Sequence, residues 1–181
     1  AFSGHKLYAP MGIGVLYGKA EWLAKLPPYQ GGGHMIRDVT FARTEYDAPP
    51  RKYEAGTPNV EGAVGLAAAL DYVERIGLAA IGAHEAALLD YATARAGEID
   101  GLRVIGTARE KGAILSFVME GFTAQEVGTV LDRHGVAVRS GHHCALPAMR
   151  RFGIEGTARA SFALYNDRED VDQLIGALLA V

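Results

Sequence analysis

The apolar residues change period near Gly97, and that change leaves few architectures open. Before it they recur at helical spacing. Val60, Val64, Ala67, Leu70 and Val73 mark one helix over residues 60–76, broken by Gly77. Ile81, Leu88 and Ala92 mark a second over 78–96, ended by Gly97 and Gly101. After it come short alternating elements: strands at 102–105 and 113–119, then a Thr123-to-Glu126 capping box opening a helix with Val127, Val130 and Leu131 on its apolar face. Gly135 closes that helix, and Val136-Ala137-Val138 reads as a brief strand leading into a loop over 139–144. A short helix over 146–152 and a strand over 157–164 follow. Asn166 and Glu169 then form a second cap signal before the amphipathic helix of Val171, Leu174, Ile175, Leu178 and Leu179. On the strand over 157–164, Arg159 and Ser161 share one face, with Ala160 and Phe162 on the other. This is the pattern of a small α+β sandwich, one sheet with helices on one face.

The first 74 residues do not look self-sufficient. They offer a strand over 13–17 and a short helix over 20–26 stopped by Pro27-Pro28. Then come Gly31-Gly32-Gly33, a polar stretch over 39–50 that reads as extended or irregular, and a Gly56-Thr57-Pro58-Asn59 turn with Asn59 as N-cap. Gly62, Gly65 and Ala67-Ala68-Ala69 make the following helix small-surfaced, suited to close packing. Two regions are therefore expected, 1–74 and 75–181. Apolar residues are 49% and charged residues 22% of 181, as in a globular protein, and a net charge of −3 offers no case for nucleic acid or an anionic membrane. No apolar run is long enough to span a bilayer. The chain starts without Met and stops inside a helical pattern, which reads as a piece of a longer polypeptide.

Two residues invite chemistry. Cys144 is the single cysteine, which excludes an intramolecular disulfide framework and suits a reducing cytoplasm. It follows Arg139-Ser140-Gly141-His142-His143, and nearby cations or histidines favour a thiolate. The residues alone leave two readings, a reactive thiol or a small packed hydrophobe. His142 and His143 can tune that thiol or simply hold its loop. Lys6, beside a Pro- and Gly-rich turn, is either a solvated surface residue or an amine placed for a Schiff base. Gly31-Gly32-Gly33 is either a mobile loop or a point of close backbone approach. The turn before residue 60 is either an ordinary cap or a phosphate seat.

Taken together, five stretches resemble one family: Ser3-Gly4-His5-Lys6-Leu7-Tyr8 with Pro10 and Gly12-Ile13-Gly14, Gly31-Gly32-Gly33, Glu54-Ala55-Gly56-Thr57-Pro58-Asn59, Arg139-Ser140-Gly141-His142-His143-Cys144-Ala145, and Arg159-Ala160-Ser161-Phe162-Ala163-Leu164-Tyr165-Asn166. Their order and spacing resemble the cysteine desulfurases of the Suf type, or group II, within the class V aminotransferases. The Gly-His-His-Cys-Ala form is similar to group II rather than group I. The resemblance spans essentially the whole chain and implies an α/β fold, the C-terminal part of a fold-type I pyridoxal-phosphate-dependent transferase. Residues 1–74 would be a remnant of its large domain and 75–181 the small α+β domain that carries the catalytic cysteine.

The resemblance also implies roles. Lys6 matches the lysine that forms the Schiff base with pyridoxal 5'-phosphate. Ser3 and His5 match residues at the cofactor phosphate, and Gly56 and Thr57 a turn that reaches the phosphate site of the other subunit of a homodimer. Cys144 matches the cysteine that attacks the sulfur of L-cysteine. Arg159 matches the arginine that grips the substrate carboxylate, and Arg139 a second active-site arginine. No residue is assigned to a metal. The implied reaction converts L-cysteine to L-alanine and leaves a persulfide on Cys144. Its sulfur would pass to an acceptor protein of the SufE or SufU kind for iron–sulfur cluster assembly in the cytoplasm. The residue types suit this: an arginine fork reads a carboxylate in bidentate fashion, and a thiolate is the nucleophilic form of cysteine. Family members carry an N-terminal half with further cofactor contacts, so the chain alone is expected not to be a competent desulfurase. A related pyridoxal-phosphate enzyme, selenocysteine lyase or aminotransferase, and a non-catalytic interaction module are the alternatives.

Overall fold

In the computed structural model, which describes residues 1–181, the polar run after Phe2 folds back on itself. Phe2–Ser3 (β1) pairs antiparallel with Gly14–Val15 (β2), and a tight 3-10 turn at Gly4–Lys6 lies between them. The N–H of buried Gly4 donates to Ile13 O at 2.8 Å, which closes the turn. A short helix, Ala20–Lys25 (α1), follows. Its last carbonyls, which a helix leaves without internal partners, accept from Lys52 Nζ at 3.0 Å and from Tyr53 Oη at 2.7 and 3.0 Å.

The stretch expected to be extended or irregular is extended in part, and holds one side of a hairpin. Ile36–Val39 (β3) pairs antiparallel with Thr44–Tyr46 (β4). Its residues are mostly exposed and polar, so it carries no apolar alternation to read. Arg43 pairs with Glu45 at 2.9 Å, and the Thr40 hydroxyl accepts from the Arg43 N–H at 3.1 Å. The helix Val60–Ile76 (α2) starts where Asn59 Oδ1 accepts from the Gly62 N–H at 2.9 Å. Its small residues do allow close packing: a Cβ on Gly65 would stand 2.5 Å from the Pro10 ring. The stripe that marks the helix is largely exposed. Leu66, Ala69 and Val73 are buried, whereas Val60 and Val64 remain 61% and 67% exposed. Both sides of this helix are apolar, so spacing alone could not say which one packs.

Residues Ala1–Ile76 form one compact unit and Gly77–Val181 a second. The second begins with Leu78–Ala96 (α3), whose Ile81, Leu88 and Ala92 are buried as their spacing predicts. Then come Leu102–Ile105 (β5), Ile114–Met119 (β6), Ala124–Arg133 (α4), Arg139–Gly141 (β7), Leu146–Phe152 (α5), Thr157–Ser161 (β8) and Arg168–Leu178 (α6). The four strands make one antiparallel sheet in the order β5-β6-β8-β7. Alternate residues Leu115, Phe117, Met119, Ala158 and Ala160 are buried in the same core as Leu88, Leu131, Val171 and Leu174 of α3, α4 and α6. Tyr91 Oη and Arg95 Nη1 both donate to Asp172 Oδ1, at 2.6 and 3.1 Å, and tie α3 to α6.

Three expectations shift here. The strand expected at 136–138 lies instead at Arg139–Gly141, because Val136 and Val138 pack against the core while the ladder to β8 begins at Arg139. The last cap sits one residue later: Asp167 Oδ1 accepts from the N–H groups of Glu169 and Asp170 at 2.8 and 3.2 Å, and a carboxylate there outcompetes the Asn166 amide. The helices do not all share one face. Met149 and Phe152 of α5 line a cavity with Ser116, Thr157 and Arg159, which point away from the main core. No helix is long and apolar enough to cross a membrane.

The cap of α4 forms as its sequence dictates. Thr123 Oγ1 accepts from the Glu126 N–H at 3.2 Å, and Glu126 Oε2 accepts from the Thr123 N–H at 2.8 Å. That backbone bond, with the Thr123 hydroxyl bond, holds the Glu126 carboxyl below its ordinary range. Thr123→Ala is expected to cost about 1 kcal/mol of stability and Thr123→Ser much less, measured by urea denaturation.

Candidate functional site

Every site residue expected from the sequence lies in one unit or the other. Ser3, His5, Lys6, Gly56 and Thr57 belong to Ala1–Ile76, and Arg139, Cys144 and Arg159 to Gly77–Val181.

In the first unit, Ser3 ends β1 opposite Gly14, and His5 and Lys6 sit exposed on the 3-10 turn that β1 and β2 close. Lys6 has no ion-pair or hydrogen-bond partner in its unit. The turn at 56–59 is joined to this region by Asn59, whose Nδ2 donates to Gly12 O at 3.1 Å. Gly56, at φ +85°, has its N–H taken up by Gly33 O at 2.9 Å. The glycine triplet is therefore a point of close approach, with its Gly32–Gly33 edge against Ala55–Gly56. Thr57 is exposed with a free hydroxyl.

In the second unit, the sheet ladder does the positioning. Ser116 stands opposite Arg159, and Arg159 opposite Arg139, so the three form one row on the face away from the main core. Two like charges directly opposite each other are unfavourable in a ladder. No carboxylate pairs with either arginine, and Arg159 Nε is buried without a partner. The row thus presents donors to an anion that the unit does not itself supply. Cys144 is exposed, and Arg139 Nη2 lies 3.9 Å from its Sγ. A cavity of about 270 Å³ borders Arg159, His143, Ser116 and Thr157. A larger groove of about 610 Å³, between α3 and residues 106–111, contains none of these side chains.

The loop that carries Cys144 is bent by two successive non-glycine residues in the left-handed region, His143 at φ 54° and Cys144 at φ 58°. Each costs roughly 1 kcal/mol or more, so other contacts must hold it. His142 Nδ1 accepts from the Cys144 N–H at 3.0 Å. His143 Nε2 lies 3.0 Å from Thr157 O and 2.9 Å from Thr157 Oγ1. A carbonyl only accepts, so Nε2 carries the proton, and Nδ1 is left buried without a partner. Sequence reading found no role for Thr157. Fourteen residues separate it from His143, and no local pattern marks a contact at that separation.

Burial is the main cause that pushes the His143 imidazole below its ordinary value near 6.5. The bond to Thr157 opposes this, and the charges of Arg159 and Arg139 add to it. The sign follows. The folded unit binds fewer protons than the unfolded chain between the lowered value and 6.5, so stability is full above 6.5 and is lost as pH falls through the lowered value. Denaturant titrations at neutral and acid pH are expected to show this loss in the parent, and to show it diminished in His143→Asn, which cannot take up the proton.

Residues 1–174 match the family described as aminotransferase class-V. The chain is 56% identical over 177 residues to the probable cysteine desulfurase 1 of Mycobacterium leprae, covering 98% of this chain and 29% of that protein. Among solved structures, the cysteine desulfurase CsdA of Escherichia coli superposes with TM-score 0.92 at 40% identity, over 98% of this chain and 44% of the other. The cysteine desulfurase of Thermococcus onnurineus NA1 superposes with TM-score 0.93 at 41% identity, over 99% and 45%. The chain spans less than half the length of the relatives it matches. By the match over 174 of its residues, the chain belongs to the aminotransferase class-V family and has a mixed α/β fold shared with part of the cysteine desulfurases.

Proposed function

We propose that this chain is the part of a cysteine desulfurase that carries the sulfur-accepting thiol and the cofactor lysine. The observation that carries this reading is the row of Arg159 and Arg139, two guanidinium groups without an acid, beside the exposed Cys144. A row of this kind suits the carboxylate of an amino-acid substrate, and a thiol at its edge suits attack on that substrate's sulfur.

The residues fit pyridoxal 5'-phosphate. Lys6 is an unpartnered primary amine on a turn closed by strand pairing, with the Ser3 hydroxyl and the His5 imidazole next to it in the chain. Lys6 would hold the cofactor covalently, with Ser3 and His5 at its phosphate. Thr57 would reach a phosphate with its hydroxyl. Gly56 would contribute shape alone, since its N–H is engaged by Gly33 O. When bound, pyridoxal phosphate supplies an electron sink at the substrate's α-carbon.

The remaining work falls to the chain's own side chains. Arg159 and Arg139 bind and orient the L-cysteine carboxylate. Cys144, as thiolate, attacks the substrate Sγ. The bond between the two sulfurs forms as the substrate's Cβ–Sγ bond breaks, and its electron pair leaves with carbon. The carbon takes up a proton and departs as L-alanine. The sulfur stays on Cys144 as a persulfide, exposed for transfer to an acceptor protein. Supply of that sulfur to iron–sulfur cluster assembly is the use this chemistry suits. A homodimer fits the exposed Met11, Tyr17, Tyr29 and Phe41 of the first unit, and a reducing cytoplasm suits a thiol that must remain free.

The test uses the full-length polypeptide. Borohydride reduction in the presence of pyridoxal phosphate, followed by peptide mapping, is expected to label Lys6 alone. Incubation with sulfur-labelled L-cysteine is expected to label Cys144, and Cys144→Ser to abolish that label. Arg159→Lys is expected to lower kcat/KM for cysteine about 10- to 100-fold, the loss of a charge-assisted bidentate contact. Scattered lysine labelling, or cysteine turnover that survives Cys144→Ser, would overturn the reading.

A further inference from the structure

We propose that His143 is a positioning residue for Cys144, and that Thr157 is the anchor through which it acts. This rests on Cys144 being the reactive thiol, as argued above. Three observations carry it. First, His143 and Cys144 are two successive non-glycine residues in the left-handed region, which such residues adopt uncommonly. Second, the contact that holds the bend ends on a buried residue of the sheet: Thr157 is 1% exposed and begins β8, the strand that also bears Arg159. Third, the two sides of the loop's base cannot drift apart or slip. Gly141 is paired with Thr157 in the ladder, and a Cβ on Gly156 would stand 2.8 Å from the Gly141 backbone.

The consequence is a fixed relation between Sγ and the arginines. β7 places Arg139 opposite Arg159, and the His143 ring spans from the loop to Thr157, two residues from Arg159. The thiol then projects beside the Arg139 guanidinium, 3.9 Å away. His142 cannot do this alone. Its Nδ1 bonds the Cys144 N–H, a contact within the loop that sets local shape without reference to the sheet. Removing the His143 ring would leave the loop's internal shape and free its direction.

The experiment reads the charge beside Sγ without using turnover. The chain is alkylated at Cys144 with iodoacetate and with iodoacetamide, and the ratio of the two rates is measured. A guanidinium held near the sulfur favours the anionic reagent, by up to about fivefold, the factor for two unit charges about 4 Å apart in water. Arg139→Gln is expected to remove that preference. His143→Gly, which keeps left-handed backbone accessible and deletes the ring, is expected to lower the ratio towards that of Arg139→Gln. Thr157→Val keeps the shape and the carbonyl and removes the hydroxyl. It is expected to lower the ratio in the same direction, with Thr157→Ser restoring it. In the Arg139→Gln background, His143→Gly should have no further effect on the ratio. An unchanged ratio in Arg139→Gln, or in both His143→Gly and Thr157→Val, would overturn the proposal, as would an equal drop from His143→Gly with and without Arg139. Failure of the sulfur-transfer reading looks different: no persulfide on Cys144 while these ratios still shift.

Discussion

The pairing of β7 with β8 is the constraint on which the second unit's chemistry depends. Register puts Arg139 across from Arg159, an arrangement that costs electrostatic repulsion and yields nothing to the fold. The opposite face of β8 repays it, since Ala158 and Ala160 are buried in the core with Leu115, Phe117 and the helices. A sheet makes this division possible because alternate residues look in opposite directions. The face towards α3, α4 and α6 stabilises, and the other face is free to carry polar groups without partners.

The loop beyond β7 extends that logic. A sharp bend in left-handed conformation is disfavoured for His and Cys, and here it is held from both ends, by Gly141 in the ladder and by the His143 ring on Thr157. Burial disfavours the charged form of that ring, and the neighbouring arginines disfavour it further. The exposed thiol is thus attached to a rigid base. That combination suits a group that must meet a substrate at a defined place and then offer its product outward.

The first unit shows the same economy with less core. Few of its side chains are buried, and many large apolar ones are exposed. Its order comes instead from hydrogen bonds onto backbone carbonyls, from the N–H groups of Gly4 and Gly56 to Ile13 and Gly33, and from the side chains of Asn59, Lys52 and Tyr53 to Gly12 and the end of α1. The two-faced apolar surface of α2, buried at Leu66 and Val73 and open at Val60 and Val64, is the expected property of an element made to be covered on both sides.

Much of this was legible in the residues. Helix spans 60–76 and 78–96, the Thr123 capping box and the strand at β6 follow from local rules, because capping and periodicity act over three or four residues. The roles expected of Cys144, Lys6, Arg139 and Arg159 came from the resemblance of five stretches to one family, since the residues alone left both a reactive and a structural reading open for Cys144 and Lys6. What local rules could not reach was decided by contacts distant in sequence. The strand fell on Arg139–Gly141 rather than on the more β-prone Val136–Val138, since the partner strand sets where a ladder begins. The inward side of α2 was chosen by packing between two apolar options. The bond from His143 to Thr157 spans fourteen residues and depends on β7 and β8 lying side by side. The sequence by itself determined which reactive groups exist and where the helices run. Tertiary structure alone decided which of those groups share a face and which way the cysteine points, because strand register and loop anchoring are set by partners that no local pattern names.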